Sequence, residues 1–497
     1  MTALTDRSVA IDQIVRALRD EELLERVVGT LPARISAITD DSRQVRAGGA
    51  FIAVRGSERD GHDFLDAAAH AGAAVALVED DARTTLPSLV VREGRRAAAV
   101  AASAFHDFPA RSLSMVGVTG TSGKTTTASM LRHLLDGPGA AAASLGTLGV
   151  LVGSEGRTLP GGAGLTTPGP VELQRVLRLL VESGVRTVAM EVSSHALDQE
   201  RVEGLRFAAA TFSNLSRDHL DYHGTMEAYF TAKARLVDLV APDGVVVIND
   251  DVETWRALPS SRRIVRYGLE SRSAEVRARD VQLSPSGSRW TLETPDGSAS
   301  VSLPLIGDFN ISNALGSAAV AWALGHSPTQ VAERLSTLPQ VPGRLERILE
   351  QPVVLRDYAH KPDALQRALV AVRPFSVGRL ILVVGCGGDR DRGKRPIMGA
   401  IAERLADTVI LTSDNPRTEN PERILDEIES GMHDAHERIE DRRTAIARAL
   451  ALATEDDVVV LAGKGHETYQ IRGTTSYPFD EKAIVHELAA TSVRGRP

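Results

Sequence analysis

Between Met115 and Thr127 the chain reads MVGVTGTSGKTTT, an apolar run that ends in Gly120-Thr121-Ser122-Gly123-Lys124-Thr125-Thr126 and passes into the helical pattern ASMLRHLL. Glycines in such a turn let backbone amides face an anion, and a helix starting directly behind it adds a dipole that favours negative charge. Lys124 would reach the terminal phosphates of a nucleotide, and the Thr125 hydroxyl would bind Mg²⁺. The long form of the motif, GxxxxGK[ST], fails at its first position, where Val118 stands in place of glycine. The shorter GTxGKT form fits, and ATP is the ligand this strand–loop–helix context implies.

Acidic and histidine groups follow at spacings that suit a metal-bound phosphate. The strand TVAMEVSSHAL sets Glu191 at its carboxyl end, beside Ser193, Ser194 and His195. Ligands of open α/β sheets sit beyond those ends, and a carboxylate there can hold Mg²⁺. A second strand, AATFSN, leads into Asn214-Leu215-Ser216-Arg217-Asp218-His219-Leu220-Asp221-Tyr222-His223, a loop with two histidines and two aspartates. Taken alone, Lys233 in AYFTAKARLV reads as a solvated helix lysine.

These groups need elements to place them. Short apolar runs at Leu113–Val118, Thr187–Val192, Val245–Ile248, Leu380–Val384, Thr408–Thr412 and Val458–Leu461 read as buried strands, most of them followed by a turn and a helical pattern. Such βα alternation predicts parallel sheets covered by helices. The Gly-rich stretch Leu151–Gly164 predicts a mobile loop, and Ala274–Leu305 a hairpin with Pro-Asp-Gly at its tip. Boundaries are expected near Phe105–Ser112, after the helix Arg96–Phe105, and near Leu338–Arg344, where LPQVPGR makes a hinge. Three domains result, residues 1–108, 109–340 and 341–497, in keeping with a chain of 497 residues.

Composition narrows the function. With 57 Lys+Arg against 65 Asp+Glu the net charge is −8, which argues against binding nucleic acid through a bulk basic surface. One cysteine excludes an intramolecular disulfide framework and a Cys-based zinc site. The charged N-terminus does not read as a signal peptide, and no apolar run is long enough to insert in a membrane. The expectation is a cytoplasmic, multidomain enzyme.

Taken in order, the motifs GTSGKTT (Gly120–Thr126), MEVSSHAL (Met190–Leu197), SNLSRDHLDYHG (Ser213–Gly224) and GDFNISN (Gly307–Asn313) resemble the Mur ligases of peptidoglycan synthesis. The series continues through VPGRLE (Val341–Glu346), DYAHKPDAL (Asp357–Leu365), GCGGDRDRGKRPIM (Gly385–Met398), SDNPRTENP (Ser413–Pro421) and AGKGHE (Ala462–Glu467). The last three together are similar to the members that add the third amino acid to UDP-N-acetylmuramoyl-L-alanyl-D-glutamate. The resemblance implies an α/β chain of three domains: a small N-terminal UDP-binding domain, a central P-loop ATPase domain with a parallel sheet, and a C-terminal Rossmann-like domain that takes the amino acid. A monomer working on soluble substrates, with ATP as co-substrate and Mg²⁺ as cofactor, is expected.

Residue by residue, the resemblance assigns Ser42 in DSRQVRAGGAFIAVRG to the uridine, with Ser57, Glu58 and Arg59 in a variable loop that touches the nucleotide. Thr166, Thr167, Ser193, Gln199 and Arg201 would hold the UDP-sugar-dipeptide, as hydroxyls, an amide and a guanidinium suit its anionic groups. Asn310 and Arg344 would meet ATP, and Asp357 its ribose. The family carbamylates the lysine matching Lys233. The reason is charge inversion, since an ammonium repels Mg²⁺ whereas an N-carboxylated lysine offers it oxygens. Thr125, Glu191, His219 and Lys233 thus form the implied metal set, and Lys124, Glu191, His219 and Lys233 the implied catalytic set.

Asp414-Asn415-Pro416-Arg417 matches the form carried by relatives that add meso-2,6-diaminopimelate; lysine-adding relatives lack the arginine. A guanidinium can grip the distal carboxylate of that amino acid bidentately, whereas lysine would leave it unpaired. Arg390, Gly463 and Glu467 complete the implied pocket, with Glu467 suited to the distal ammonium. The same ligase adding L-lysine or another amino acid is the alternative. Folylpolyglutamate synthase, with a similar P-loop ligase core, and a scaffolding ATPase without ligase activity are the rival classes. No residue stands out as the base for the amine; His360 is a candidate outside the catalytic set.

Overall fold

The computed structural model describes residues 8–56, 59–162 and 164–494, so Ser57, Glu58 and Ala163 lie outside the described residues. The chain divides into two compact units. One holds the described residues up to Ala278 with Leu292–Ala299 and Ser312–Leu335; the other holds Arg279–Thr291, Ser300–Ile311 and the described residues from Ser336 on.

The first unit opens with a five-stranded sheet in the order Leu24–Val28, Ser88–Val91, Val75–Val78, Ala50–Ile52, Ile38–Thr39, parallel except at its first pair. Alternation along the strands sends side chains to two faces. Ile52, Val75, Leu77 and Leu89 pack under the helices Ile11–Asp20 and Gly94–Phe105, whereas Phe51, Ala76, Val78 and Val90 pack on Leu65–His70. The rest of the unit is built on a larger sheet. Its parallel strands Ala141–Gly146, Val185–Glu191, Ser114–Thr119, Phe207–Phe212 and Val240–Asn249 lie side by side in that order. Helix Pro170–Glu182 buries Leu173, Val176, Leu177 and Leu180 in the core with Met115, Val188 and Met190.

The second unit has a six-stranded sheet in the order Glu346–Leu349, Val353–Asp357, Val458–Ala462, Leu380–Val384, Thr408–Leu411, Glu437–Arg438, with one antiparallel pair at its edge. It is wound on both faces. Leu380, Leu382 and Val384 pack with helices Pro362–Val372, Lys394–Leu405 and Pro421–Glu429; Ile381 and Val383 face Arg442–Leu452 and the C-terminal helix. Each strand expected from an apolar run is present, within a few residues of its expected ends.

Two expectations need correction. Leu151–Gly164 is not a mobile loop throughout, because Gly149–Val152 and Arg157–Leu159 pair as an antiparallel hairpin. Its glycines serve the turn, where Gly153 and Gly156 take φ of +75° and +72°. The stretch Ala274–Leu305 carries three strands, Val276–Ser284, Gly287–Thr294 and Gly297–Leu303, rather than two. The Pro295-Asp296 turn lies where the sequence sets it, and Ser284-Pro285-Ser286 makes a second turn ahead of it. Among the described residues no helix is long and apolar enough to cross a membrane.

A buried ion pair fastens the second unit. Arg442 and Glu481 are both fully buried, Nε to Oε1 at 2.8 Å. Arg442 also donates to the carbonyls of Ala462 at 2.9 Å and Ser413 at 3.5 Å, the residues that precede Gly463 and Asp414. Removing one partner strands the other charge in the core, so Glu481→Ala is expected to cost about 3–5 kcal/mol, read as a lower urea midpoint.

Candidate active site

Side chains of the expected phosphate site converge at the carboxyl edge of the large sheet. Strand Ser114–Thr119 and helix Lys124–Leu135 flank the loop Gly120–Gly123. Gly120 and Gly123 have φ of +152° and +83°, and a Cβ on them would lie 2.0 Å from Ser213 Oγ and 2.4 Å from Asn313 Oδ1. No side chain fits at either place. The loop is braced from the strand next door. Asn214 accepts the Thr121 amide through its carbonyl at 2.9 Å and the Ser122 amide through Oδ1 at 2.8 Å. Those two amides are therefore not the ones turned to an anion. Directly behind them the helix Lys124–Leu135 begins, and its N-terminus carries the positive end of the helix dipole. Thr121 Oγ1 accepts the Ser216 amide at 3.0 Å and meets the Tyr229 hydroxyl at 3.3 Å.

Glu191 is buried and ties the loop to its neighbours. Its Oε2 accepts from the hydroxyls of Thr125 and Thr147, both at 3.2 Å, and its Oε1 from the Thr147 amide at 2.8 Å. Thr125 and Glu191, expected as partners on one metal, do stand together. Lys233 is not a solvated helix lysine. Helix Met226–Ala234 buries it, and its Nζ donates to the Gly120 carbonyl at 2.9 Å over the ring of Tyr229. Lys124 Nζ donates to the same carbonyl at 2.8 Å and to that of Thr121 at 3.0 Å. His219 heads the short helix Leu220–His223 with φ +52°, its Nε2 3.4 Å from Asp218 Oδ2 and its ring edge-on to His195. Burial lowers the pKa values of His195 and His223 from the usual histidine value.

The residues expected to hold the dipeptide form one network. Thr167 Oγ1 donates to the Glu191 carbonyl at 2.9 Å and accepts the Ser193 amide at 3.0 Å. Arg201 donates to the Thr167 carbonyl at 3.1 Å and to Gln199 Oε1, while Gln199 Nε2 donates to the Tyr222 hydroxyl at 3.2 Å. Thr166 joins through Thr147 Oγ1 at 3.4 Å. Ser42 opens a 3-10 turn after Ile38–Thr39, where Asp41 accepts the Arg43 amide, and among the described residues no hydrogen bond joins it to this network.

In the second unit Asn310 is buried and donates to the Ile306 carbonyl at 2.8 Å. The residue of GDFNISN that meets the phosphate loop is Asn313, which belongs to the first unit like the loop itself and is not among the residues expected from the sequence. Its spacing of three from Asn310 puts both on one helical side and was the available signal. The Arg344 guanidinium lies 5.0 Å over the Tyr358 ring, and the Leu345 amide donates to Asp357 Oδ2 at 2.7 Å. Burial brings His360 down to about 4, which leaves a neutral imidazole at physiological pH.

The expected amino-acid pocket is assembled from three loops of the six-stranded sheet. Asp414 and Asn415 are buried, and Asn415 Nδ2 donates to Glu467 Oε2 at 2.9 Å. Gly463 has φ +113°, and a Cβ there would strike Asp414 Oδ2. The Pro416 carbonyl lies against Gly388 in the same manner. Arg417 has φ +51°, donates from Nη1 to the Gly388 carbonyl at 2.8 Å and is bridged through its backbone to Ile471 and Gly473. The hairpin Tyr469–Arg472/Thr475–Pro478, which the sequence reading did not foresee, supplies that bridge. Arg390 is exposed and donates to the Asp389 carbonyl at 3.1 Å. It and Arg417 flank one glycine, for a Cβ on Gly387 would lie 3.0 Å from Arg417 Nη1 and 3.9 Å from Arg390 Cγ.

Burial raises the Asp357 carboxyl to about 6, against the opposing pull of Arg344. The folded protein then holds that proton more tightly than the unfolded chain, so this group's contribution to stability falls as pH rises from the ordinary aspartate value towards 6. Asp357→Asn keeps an acceptor for Leu345. It is expected to raise the melting temperature at neutral pH, with the gain disappearing in acid below the ordinary aspartate range.

Comparison with known proteins gives a consistent set of likenesses. Family models described as "Mur ligase family, catalytic domain", "Mur ligase middle domain" and "Mur ligase, glutamate ligase domain" match residues 34–111, 118–321 and 343–465. A Gloeobacter violaceus protein named UDP-N-acetylmuramoyl-L-alanyl-D-glutamate–2,6-diaminopimelate ligase is 44% identical over 95% of this chain and 98% of its own length. A Geobacillus kaustophilus protein of the same name is 42% identical over 93% and 96%. A solved structure under that name superposes with a TM-score of 0.67 at 32% identity, covering 98% of this chain and 99% of the other.

Proposed function

This chain belongs to the Mur ligase family, and from that premise we propose that it joins meso-2,6-diaminopimelate to UDP-N-acetylmuramoyl-L-alanyl-D-glutamate with cleavage of ATP to ADP and phosphate. It is an amide-forming ligase of peptidoglycan synthesis, acting in the cytoplasm on nucleotide-linked precursors. The observation that carries the choice of amino acid is the joining of two loops by the Asn415–Glu467 hydrogen bond. A guanidinium at Arg417 and a carboxylate at Glu467 then belong to one rigid assembly, complementary to a side chain that ends in a carboxylate beside an ammonium.

The chemistry divides by region, with residues 1–108 for the UDP moiety, 109–340 for phosphoryl transfer and 341–497 for the amino acid. Thr166, Thr167, Ser193, Gln199 and Arg201 orient the dipeptide, with Ser42 on the uridine. Its D-glutamyl carboxylate attacks the γ-phosphorus of ATP, forming an acyl phosphate and releasing ADP. The amine of the incoming amino acid adds to the acyl carbon, and the tetrahedral intermediate expels phosphate to leave the amide. Lys124 and the helix N-terminus behind it offset the charge that gathers on the transferring phosphoryl group.

The donor set fits Mg²⁺, a hard cation that takes carboxylate and hydroxyl oxygens with phosphate. Thr125 and Glu191 present such oxygens side by side, with His219 and Lys233 completing the proposed set, and the ion would neutralise phosphate charge. The same reading takes Lys233 as N-carboxylated, and its buried place at the Gly120 carbonyl supports that. As an ammonium it crowds a second cation onto the Gly120 carbonyl that Lys124 already uses, whereas a carbamate would convert it to an oxygen donor beside the phosphates.

Phosphate release is expected with ATP, Mg²⁺, the UDP-dipeptide and meso-diaminopimelate, and not when L-lysine replaces it. Turnover of L-lysine instead would refute the assignment. Arg417→Lys removes the planar fork, and kcat/KM for meso-diaminopimelate should fall about 100-fold, the worth of a charge-assisted pair, with ATP affinity unchanged.

A further inference from the structure

Lys464, inside AGKGHE, has a fully buried side chain. Its Nζ donates to Asn415 Oδ1 at 3.1 Å and to Glu467 Oε2 at 3.2 Å. Two aromatic rings also lie near it, the Tyr469 ring centroid at 5.7 Å and that of Phe479 at 6.0 Å. An ammonium held among two oxygens and two ring faces has its charge balanced and little freedom to move.

The consequence falls on its two partners. Asn415 Oδ1 accepts from Lys464 and from the Ile471 amide at 2.9 Å, which leaves its Nδ2 committed to Glu467. Glu467 Oε2 accepts from both Lys464 and Asn415, while Oε1 has no protein partner among the described residues. The amide cannot flip without opposing two donors, and the carboxylate cannot turn without losing two. One oxygen of Glu467 is thereby presented and the other is locked away. The loops so joined follow the strands Thr408–Leu411 and Val458–Ala462, which are not neighbours, since Leu380–Val384 lies between them.

We propose that Lys464 is a positioning residue for amino-acid selection, holding the Asn415 amide and the Glu467 carboxylate so that Glu467 Oε1 receives the distal ammonium of the incoming amino acid. This rests on the reading above that the pocket takes meso-diaminopimelate. Lys464 touches no substrate; it acts through Glu467.

The test is steady-state phosphate release by the full chain with the variants Lys464→Met, which keeps bulk without charge, and Lys464→Gln, which keeps a donor. KM for meso-diaminopimelate is expected to rise about 10- to 100-fold in Lys464→Met and less in Lys464→Gln, as a charged partner loses its hydrogen bonds. KM for ATP and for the UDP-dipeptide should stay at their wild-type values. In a Glu467→Gln background, Lys464→Met should add little further loss, because the effect travels through Glu467. Equal losses towards all three substrates, or full additivity with Glu467→Gln, would overturn the proposal. So would failure of both variants to fold, which would make the ammonium a structural ion. An inactive wild-type protein would instead refute the proposed reaction itself, so the two failures are told apart.

Discussion

The carboxylate of Glu191 takes two hydroxyls and one amide, and through them it fastens the ends of three parallel strands into one edge. Thr125 follows the strand Ser114–Thr119, Thr147 follows Ala141–Gly146, and Glu191 closes Val185–Glu191. The approach is close enough that a Cβ on Gly146 would lie 2.2 Å from Glu191 Oε1. A buried carboxylate needs this many donors to be tolerated at all. The same requirement positions it beside the phosphate loop, so folding and chemistry draw on one set of hydrogen bonds.

A parallel logic holds in the second unit. Its sheet also gathers loops at the carboxyl ends of its strands, and the charges buried there are paired across loops. Arg442 reaches from Glu481 to the last residues before Gly463 and Asp414, and Lys464 sits between Asn415 and Glu467. Apolar residues of similar size could fill such places with no loss of stability. They could not hold the Asn415 amide and the Glu467 carboxylate in fixed orientation, as Lys464 does.

Strands and phosphate loop were legible because their signals are local. Leu380–Val384 is an uninterrupted β-branched and leucine run, and GTSGKTT carries its geometry in its glycines and lysine. The buried position of Lys233 was not legible from its helix, whose pattern offers an ordinary lysine; the resemblance of the surrounding motifs implied a role for it but not its burial. The hairpin at 149–159 reads as a loop because its strands, Gly149–Val152 and Arg157–Leu159, are only four and three residues long and glycines crowd the turn between and the chain after them. Asn214 and Asn313 act across more than ninety residues of chain on the loop at Gly120–Gly123, and no periodicity reports such a pairing. The brace of Arg417 by Ile471 escaped for the same reason.

Asn214 gives the phosphate loop a further property. By taking the amides of Thr121 and Ser122 within the protein, it makes the shape of that loop a result of folding rather than of ligand capture. The conformational entropy of ordering those residues is lost once, when the sheet edge forms, and not again each time a nucleotide arrives. Binding can then be governed by charge at the helix N-terminus and by fit, with little reorganisation to slow the arrival or departure of nucleotide in each cycle.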